Sequence, residues 1–124
     1  MTADASPRPW PVRLRLSRAE RRLAMELDDG ETLSVPFELL RVESPSAEVQ
    51  GHRGDEKVLV AGKRTIGVNS AEPVGNYAVR LVFDDGHDTG LFTWDYIAKL
   101  AREQDAMMAA YEERLAAAGL SRDA

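Results

Sequence analysis

The chain has 124 residues, a net charge of −5 and no cysteine, which bounds it to one domain of ordinary size. The acidic balance argues against nucleic-acid binding, which needs a basic surface to neutralise phosphates. The missing cysteines exclude disulfides, thiolate metal sites and cysteine nucleophiles, and two histidines leave little for histidine-based metal catalysis.

In chain order, residues 1–11 read as a loose arm rich in proline (Pro7, Pro9, Pro11). Residues 13–16 alternate Arg and Leu with period two, a strand pattern, and residues 22–27 repeat it with Leu23, Met25 and Leu27 on one face. Asp28-Asp29-Gly30 then predicts a hairpin turn of type I′ before Leu33 and Val35 resume the alternation. Pro36 suits the start of a short helix over 37–42, because its missing N–H is not needed there.

Residues 43–54 are polar and read as a compact loop. Strands are expected over 57–61 and 65–70, a turn over 73–76, and the clearest strand over 77–83, with Tyr77, Val79, Leu81 and Phe83 inward and Arg80 outward. A second Asp-Gly turn, Asp84-Asp85-Gly86, reverses the chain into 87–93. Then Ile97, Leu100, Met107, Tyr111, Leu115 and Ala118 recur at helical steps, interrupted at Gln104. Thr93 is the expected N-cap and Gly119 the expected stop. A single helix over this span would be about 37 Å long and would project beyond the sheet. The fold class expected is α+β: an antiparallel sheet of four to six strands, with the short helix and the long C-terminal helix packed on one face. The domain plan is the arm at 1–11, a folded domain at 12–102 and a helix extension and tail at 103–124. No targeting segment or membrane span is expected, so the protein is placed in the cytoplasm.

The catalytic motifs fail one by one. There is no Gly-x-Ser-x-Gly, and residues 60–65 lack the first glycine and the Gly-Lys-Ser/Thr order of a phosphate loop. Neither His52 nor His87 opens the His-x-Asp/Glu that a non-haem iron site uses. Asp84 and Asp85 read as turn residues capping their own backbone. The basic cluster Arg13, Arg15, Arg18, Arg21 and Arg22 reads as a solvated face, and Met107 and Met108 as packing residues.

Two segments carry a resemblance. One runs from Leu39 to His52 (LLRVESPSAEVQGH); the other is EPVGNYAV at 72–79 continuing into FDDGHDTGLFTWDY at 83–96. Together they resemble the DUF971 family, the gamma-butyrobetaine hydroxylase-like N-terminal domains, over about residues 12–102. In the hydroxylase the similar domain precedes a 2-oxoglutarate- and iron-dependent catalytic domain and holds a structural zinc. The zinc ligands are three cysteines of a Cys-Pro-Cys-x-x-Cys loop and one histidine after the second hairpin turn. Similar domains also end plant-type iron–sulfur scaffold ATPases. Carried onto this sequence, the cysteine positions fall on Ser44, Ser46 and Val49 and the histidine on His87. Hydroxyls and valine do not replace thiolates on zinc, so the resemblance implies a standalone, cysteine-less branch that keeps the fold without the metal.

The resemblance further implies that His87 faces the 44–49 loop, where hydrogen bonds to Ser44 and Ser46 take the place of coordination. The expected function is a non-catalytic module that docks a protein partner, through Ser44, Ser46, Glu48, His52, His87 and Asp88, with no catalytic residues and no cofactor. The alternative is a metal- or iron–sulfur-handling accessory protein that holds zinc or iron with Glu48, His52 and His87. No nucleic acid or membrane partner is expected, and the long C-terminal helix would permit a homodimer.

Overall fold

The computed structural model describes residues 10–46 and 58–123. Its elements are β1 (Pro11–Ser17), β2 (Arg22–Leu27), β3 (Thr32–Pro36), α1 (Phe37–Val42), β4 (Val68–Val74), β5 (Ala78–Phe83), β6 (Leu91–Thr93), α2 (Trp94–Arg102) and α3 (Gln104–Ala117). The class is α+β, but the strands form two antiparallel three-stranded sheets, β1-β2-β3 and β4-β5-β6, not one sheet of four to six.

The division follows from residues 58–61, expected as a strand and irregular in the structure. Their neighbourhood is satisfied by other partners. The Tyr111 hydroxyl donates to the Val60 carbonyl, while the Gly62 and Arg64 N–H groups donate to the Ser121 and Arg122 carbonyls at 2.9 and 3.0 Å. With those bonds made to α3 and the chain's end, no ladder joins the sheets there.

The alternation in β2 and β3 buries Leu23, Met25, Leu27, Leu33 and Val35, and that in β5 buries Val79, Leu81 and Phe83. Leu14 and Leu16 stand opposite Met25 and Leu23 and pack against the same core. Both sheets, α1, α2 and α3 share that one core. Tyr77, expected inward, is 52% exposed. The turn falls at 75–77, with Gly75 at φ +57, and Pro73 and Val74 remain inside β4. Proline is tolerated there because β4 is an edge strand.

The Asp-Gly turns are real but not of type I′. Leu27 N–H donates to Glu31 O at 2.8 Å and Gly30 N–H to Leu27 O at 3.0 Å, and Phe83 N–H to His87 O at 2.9 Å and Gly86 N–H to Phe83 O at 3.2 Å. Gly30 and Gly86 take φ +92 and +91, while the aspartates before them keep negative φ. These are three-residue loops that end in a left-handed glycine.

The long C-terminal helix is two helices. Thr93 caps α2 by accepting from Tyr96 N–H at 3.2 Å, and Gly119, at φ +70, ends α3. Between them the chain breaks at Glu103, with φ −108 and ψ 14. Gln104, the residue that interrupts the periodicity, explains the break. Its side-chain Nε2 donates to Ala101 O at 2.7 Å and to Ser34 O at 2.6 Å, so a side chain competes for a helix carbonyl and ties the joint to β3. The break lets Tyr111 and Leu115 of α3 enter the core at 1% and 2% exposure, so α3 does not project beyond the sheet as a bare extension. No helix among the described residues is long and apolar enough to cross a membrane.

Candidate functional site

The residues just past α1 turn inward. Glu43, Ser44 and Ser46 are all buried, with Ser44 wholly so. Polar side chains are buried only when they find partners. Ser44 Oγ lies 3.0 Å and Ser46 Oγ 3.3 Å from His87 Nε2, and Ser44 Oγ is 3.4 Å from Ser46 Oγ. With Nε2 protonated, the imidazole donates to Ser44, whose own proton serves Ser46. With Nε2 bare, it accepts from a hydroxyl. Either tautomer closes the cluster.

His87 reaches the serines because the second Asp-Gly loop aims it. Asp85 Oδ1 accepts from His87 N–H at 3.1 Å, while Oδ2 accepts from Arg41 Nε at 2.8 Å and Lys63 Nζ at 2.7 Å. Burial pushes the Asp85 carboxyl up, but Lys63, the His87 N–H and Arg41 outweigh it and hold the pKa to about 2, against an ordinary 3.8. A depressed carboxyl contributes stability above its unfolded pKa and loses it as pH falls through its folded one. The contribution, about 1 kcal/mol after solvent screening, is therefore expected to disappear as pH falls from 3.8 towards 2. Asp85→Asn should flatten the acid limb of an unfolding-midpoint series over that window; an unchanged limb would show that the triad stores no pH-dependent stability.

The other side of the cluster is closed by Gly90 and Tyr96. A Cβ added at Gly90 would lie 2.3 Å from Ser44 Oγ and 3.3 Å from Pro45 Cδ, so only glycine fits beside the buried hydroxyl. Tyr96 donates its hydroxyl to the Glu43 carbonyl, and burial, with the Glu43 carboxylate, pushes its pKa up to about 12. Gly90→Ala is expected to cost about 1–3 kcal/mol through overpacking. Ser44→Ala in that background should recover part of the loss, because the clash is with Oγ. Urea midpoints for wild type, both single variants and the double variant read this directly, and additive costs would refute the contact.

Of the candidates read from the sequence, Ser44, Ser46 and His87 are brought together. Asp88 stands next to them but engages Arg80, with Oδ2 3.2 Å from Nη1, and Arg80 in turn pairs with Glu72 across β4 and β5. Glu48, Val49 and His52 lie outside the described residues. Sequence reasoning named Gly90 only as part of the 87–90 turn and missed Arg41, Lys63 and Tyr96, which clamp the site from α1, the 62–64 segment and the start of α2. The basic cluster expected as a solvated face is partly engaged: Arg13 and Arg15 approach Glu26 at 3.8 and 3.6 Å, and Arg22 bonds Ser34 and Gln104 at 2.7 and 2.6 Å.

The cluster does not fit zinc. Its donors at 44 and 46 are neutral hydroxyls already bonded to one another and to the imidazole, where a structural zinc requires thiolate or imidazole ligands around a tetrahedron. Among the described residues no three His, Cys, Asp or Glu side chains come close enough to hold an ion.

The family model described as gamma-butyrobetaine hydroxylase-like, N-terminal, matches residues 14–98. No curated protein matches the chain. Two solution structures determined by NMR are similar to it. One has 46% identity over 98% of this chain and 91% of its own, with a TM-score of 0.81; the other has 47% identity over 93% and 90%, with a TM-score of 0.79. A crystal structure from Acidithiobacillus ferrooxidans, described as a DUF971 family protein of unknown function, shares 40% identity over 73% of this chain and 91% of its own, with a TM-score of 0.61.

Proposed function

Since the chain belongs to the gamma-butyrobetaine hydroxylase-like N-terminal family, DUF971, we propose that it is a non-catalytic module that docks a partner protein through the 43–53 loop and the adjoining turn at 87–90. The observation that carries this reading is the Ser44–Ser46–His87 cluster. It ties Ser44 and Ser46, at the start of the polar loop, to the hairpin turn through hydrogen bonds between side chains. Ser44 is wholly buried, so its hydroxyl serves no substrate; the cluster holds shape. What such a clamp supports is a preorganised surface, and preorganisation lowers the ordering cost of association.

The alternative, metal handling by Glu48, His52 and His87, is less well supported. A metal on Nε2 of His87 would have to displace two hydroxyls within hydrogen-bond distance, giving up those bonds at about 1 kcal/mol each.

The test is photo-crosslinking from positions 48 and 52 in the native cell, followed by affinity measurement with the captured partner. Glu48→Ala combined with His52→Ala and Asp88→Ala is expected to weaken that complex at least about tenfold while leaving the unfolding midpoint unchanged. Unchanged affinity in a folded variant would remove this surface from the docking contact.

A further inference from the structure

The two sheets leave four edge strands, β1, β3, β4 and β6, and an open edge is a row of N–H and C=O groups ready to pair with another chain. Three of the four carry devices against such pairing. β6 has three residues and runs straight into α2. β4 contains Pro73, and its register shifts between Val68 and Ser70. β3 lies against α2, and its Ser34 carbonyl accepts from Gln104 Nε2 at 2.6 Å. β1 has no such cover. It runs for seven residues, Pro11–Ser17, and its register shifts only at its start, between Pro11 and Arg13. It pairs with β2, and among the described residues no other backbone group bonds to it. Alternate residues of β1 therefore direct their N–H and C=O groups away from the sheet.

The two faces at this edge differ in chemistry. Leu14 and Leu16 are partly buried and pack on the core, while Arg13 and Arg15, on the opposite face, are 64% and 59% exposed. Those two guanidinium groups share one carboxylate, that of Glu26, at 3.8 and 3.6 Å. Arg22, on the same face, bonds the neutral Ser34 and Gln104. Residues 11–27 hold five arginines against two glutamates, in a chain whose net charge is −5. The edge is a basic strip on an acidic molecule. A second copy of the chain does not suit it. The longest pairing of β1 with itself, antiparallel and centred on Leu14, sets Arg13 of one copy opposite Arg15 of the other, and like charges in that position are destabilising.

We propose that β1 receives an extended acidic segment of a partner protein as an added strand. The backbone ladder supplies the attachment, and the alternation of β1 supplies the specificity. Acidic side chains at alternate positions of the segment lie beside Arg13 and Arg15, and apolar side chains between them extend the core over Leu14 and Leu16. Arginines on an edge repel a like strand; the same charges steer and register an acidic one. This contact is separate from the 43–53 loop and the 87–90 turn, and either surface can fail without the other.

The experiment titrates the whole chain with a capped seven-residue peptide of alternating valine and glutamate, and with its valine–lysine counterpart, following backbone amide resonances and their hydrogen exchange. The glutamate peptide is expected to give saturable shifts centred on residues 12–17 and to slow exchange of the outward amides of β1. The lysine peptide should bind at least about tenfold more weakly. Methylating the backbone nitrogens of the two central valines of the glutamate peptide should abolish its binding, which separates a ladder from charge attraction alone. Arg13→Gln combined with Arg15→Gln, in protein shown folded by circular dichroism, should weaken the glutamate peptide at least about tenfold and leave the lysine peptide no weaker. Equal affinity for the two peptides, no saturable binding, or shifts that leave residues 12–17 unmoved overturns the proposal. So does full exchange protection of the β1 amides in the free chain, which would show that the chain itself fills this edge.

Discussion

Replacing Ser44, Ser46 and Val49 together with cysteine is expected to yield protein that purifies with about one equivalent of zinc, against less than about a tenth for the natural sequence. The structure supplies the argument for two of the three positions and for the histidine. Ser44 Oγ, Ser46 Oγ and His87 Nε2 already converge at 3.0–3.4 Å from one another. Donors on a tetrahedral zinc stand roughly 3.5–3.8 Å apart, given Zn–S near 2.3 Å and Zn–N near 2.0 Å. The present spacing is thus within a few tenths of an ångström of what zinc needs, a gap that small side-chain rotations of the cysteines can close. Gly90 leaves no Cβ in the way, and Asp85 continues to aim His87 through its backbone N–H. Position 49 comes from the family resemblance. Cobalt loading should produce thiolate charge-transfer absorption, and His87→Ala in the triple variant should weaken the metal by at least about tenfold. A folded triple variant that takes up neither metal would show that the serine cluster is not a former metal cradle.

That prediction also shows what could be read from sequence. The contact between His87 and the 44–46 segment was legible because the family resemblance names four positions that must meet, three of which are substituted here. What holds them was not legible. Arg41, Lys63 and Tyr96 are ordinary helix, loop and helix residues in the sequence, and only folding brings Arg41 and Lys63 onto one oxygen of Asp85. The fold divides in the same way. Short-range chemistry placed β2, the first turn, β3 and α1 almost residue for residue, because Asp-Gly and Pro36 act locally. It failed at residues 58–61, where an apolar run resembles a strand but Val60 is bonded by Tyr111 and the following Gly62 and Arg64 by the 121–122 segment, some fifty to sixty residues away in the chain. Gln104 was a signal only half used: it was seen to interrupt the helical stripe, yet a polar residue at an inward position also marks where a helix can break.

The same long-range pairing leads to the second large effect. Arg122→Ala is expected to destabilise the domain by about 2–4 kcal/mol, read as a drop in the urea midpoint at constant slope. Residues 120–123 would pass in the sequence for a tail, yet Gly119 turns the chain and Leu120 N–H donates back to Leu115 O at 2.8 Å. That reversal carries Arg122 to α1, where Nε and Nη2 fork onto the two oxygens of Glu38 at 2.9 and 2.7 Å. The Glu38 side chain is 6% exposed and that of Arg122 25%. Removing the arginine leaves a buried carboxylate without its cation, which is the costly way to break such a pair. Glu112, 3.5 Å from Arg122 Nη1, offers no substitute because it is also acidic. Glu38→Leu combined with Arg122→Leu should recover most of the loss, since no charge is then stranded. If Arg122→Ala instead moves the midpoint by no more than a surface substitution, about 0.5 kcal/mol, the Arg122–Glu38 pair contributes no stability. The expected result makes the end of the chain part of the core, joining α1, α3 and the 62–64 segment whose Lys63 helps fix Asp85, and through it the turn that carries His87.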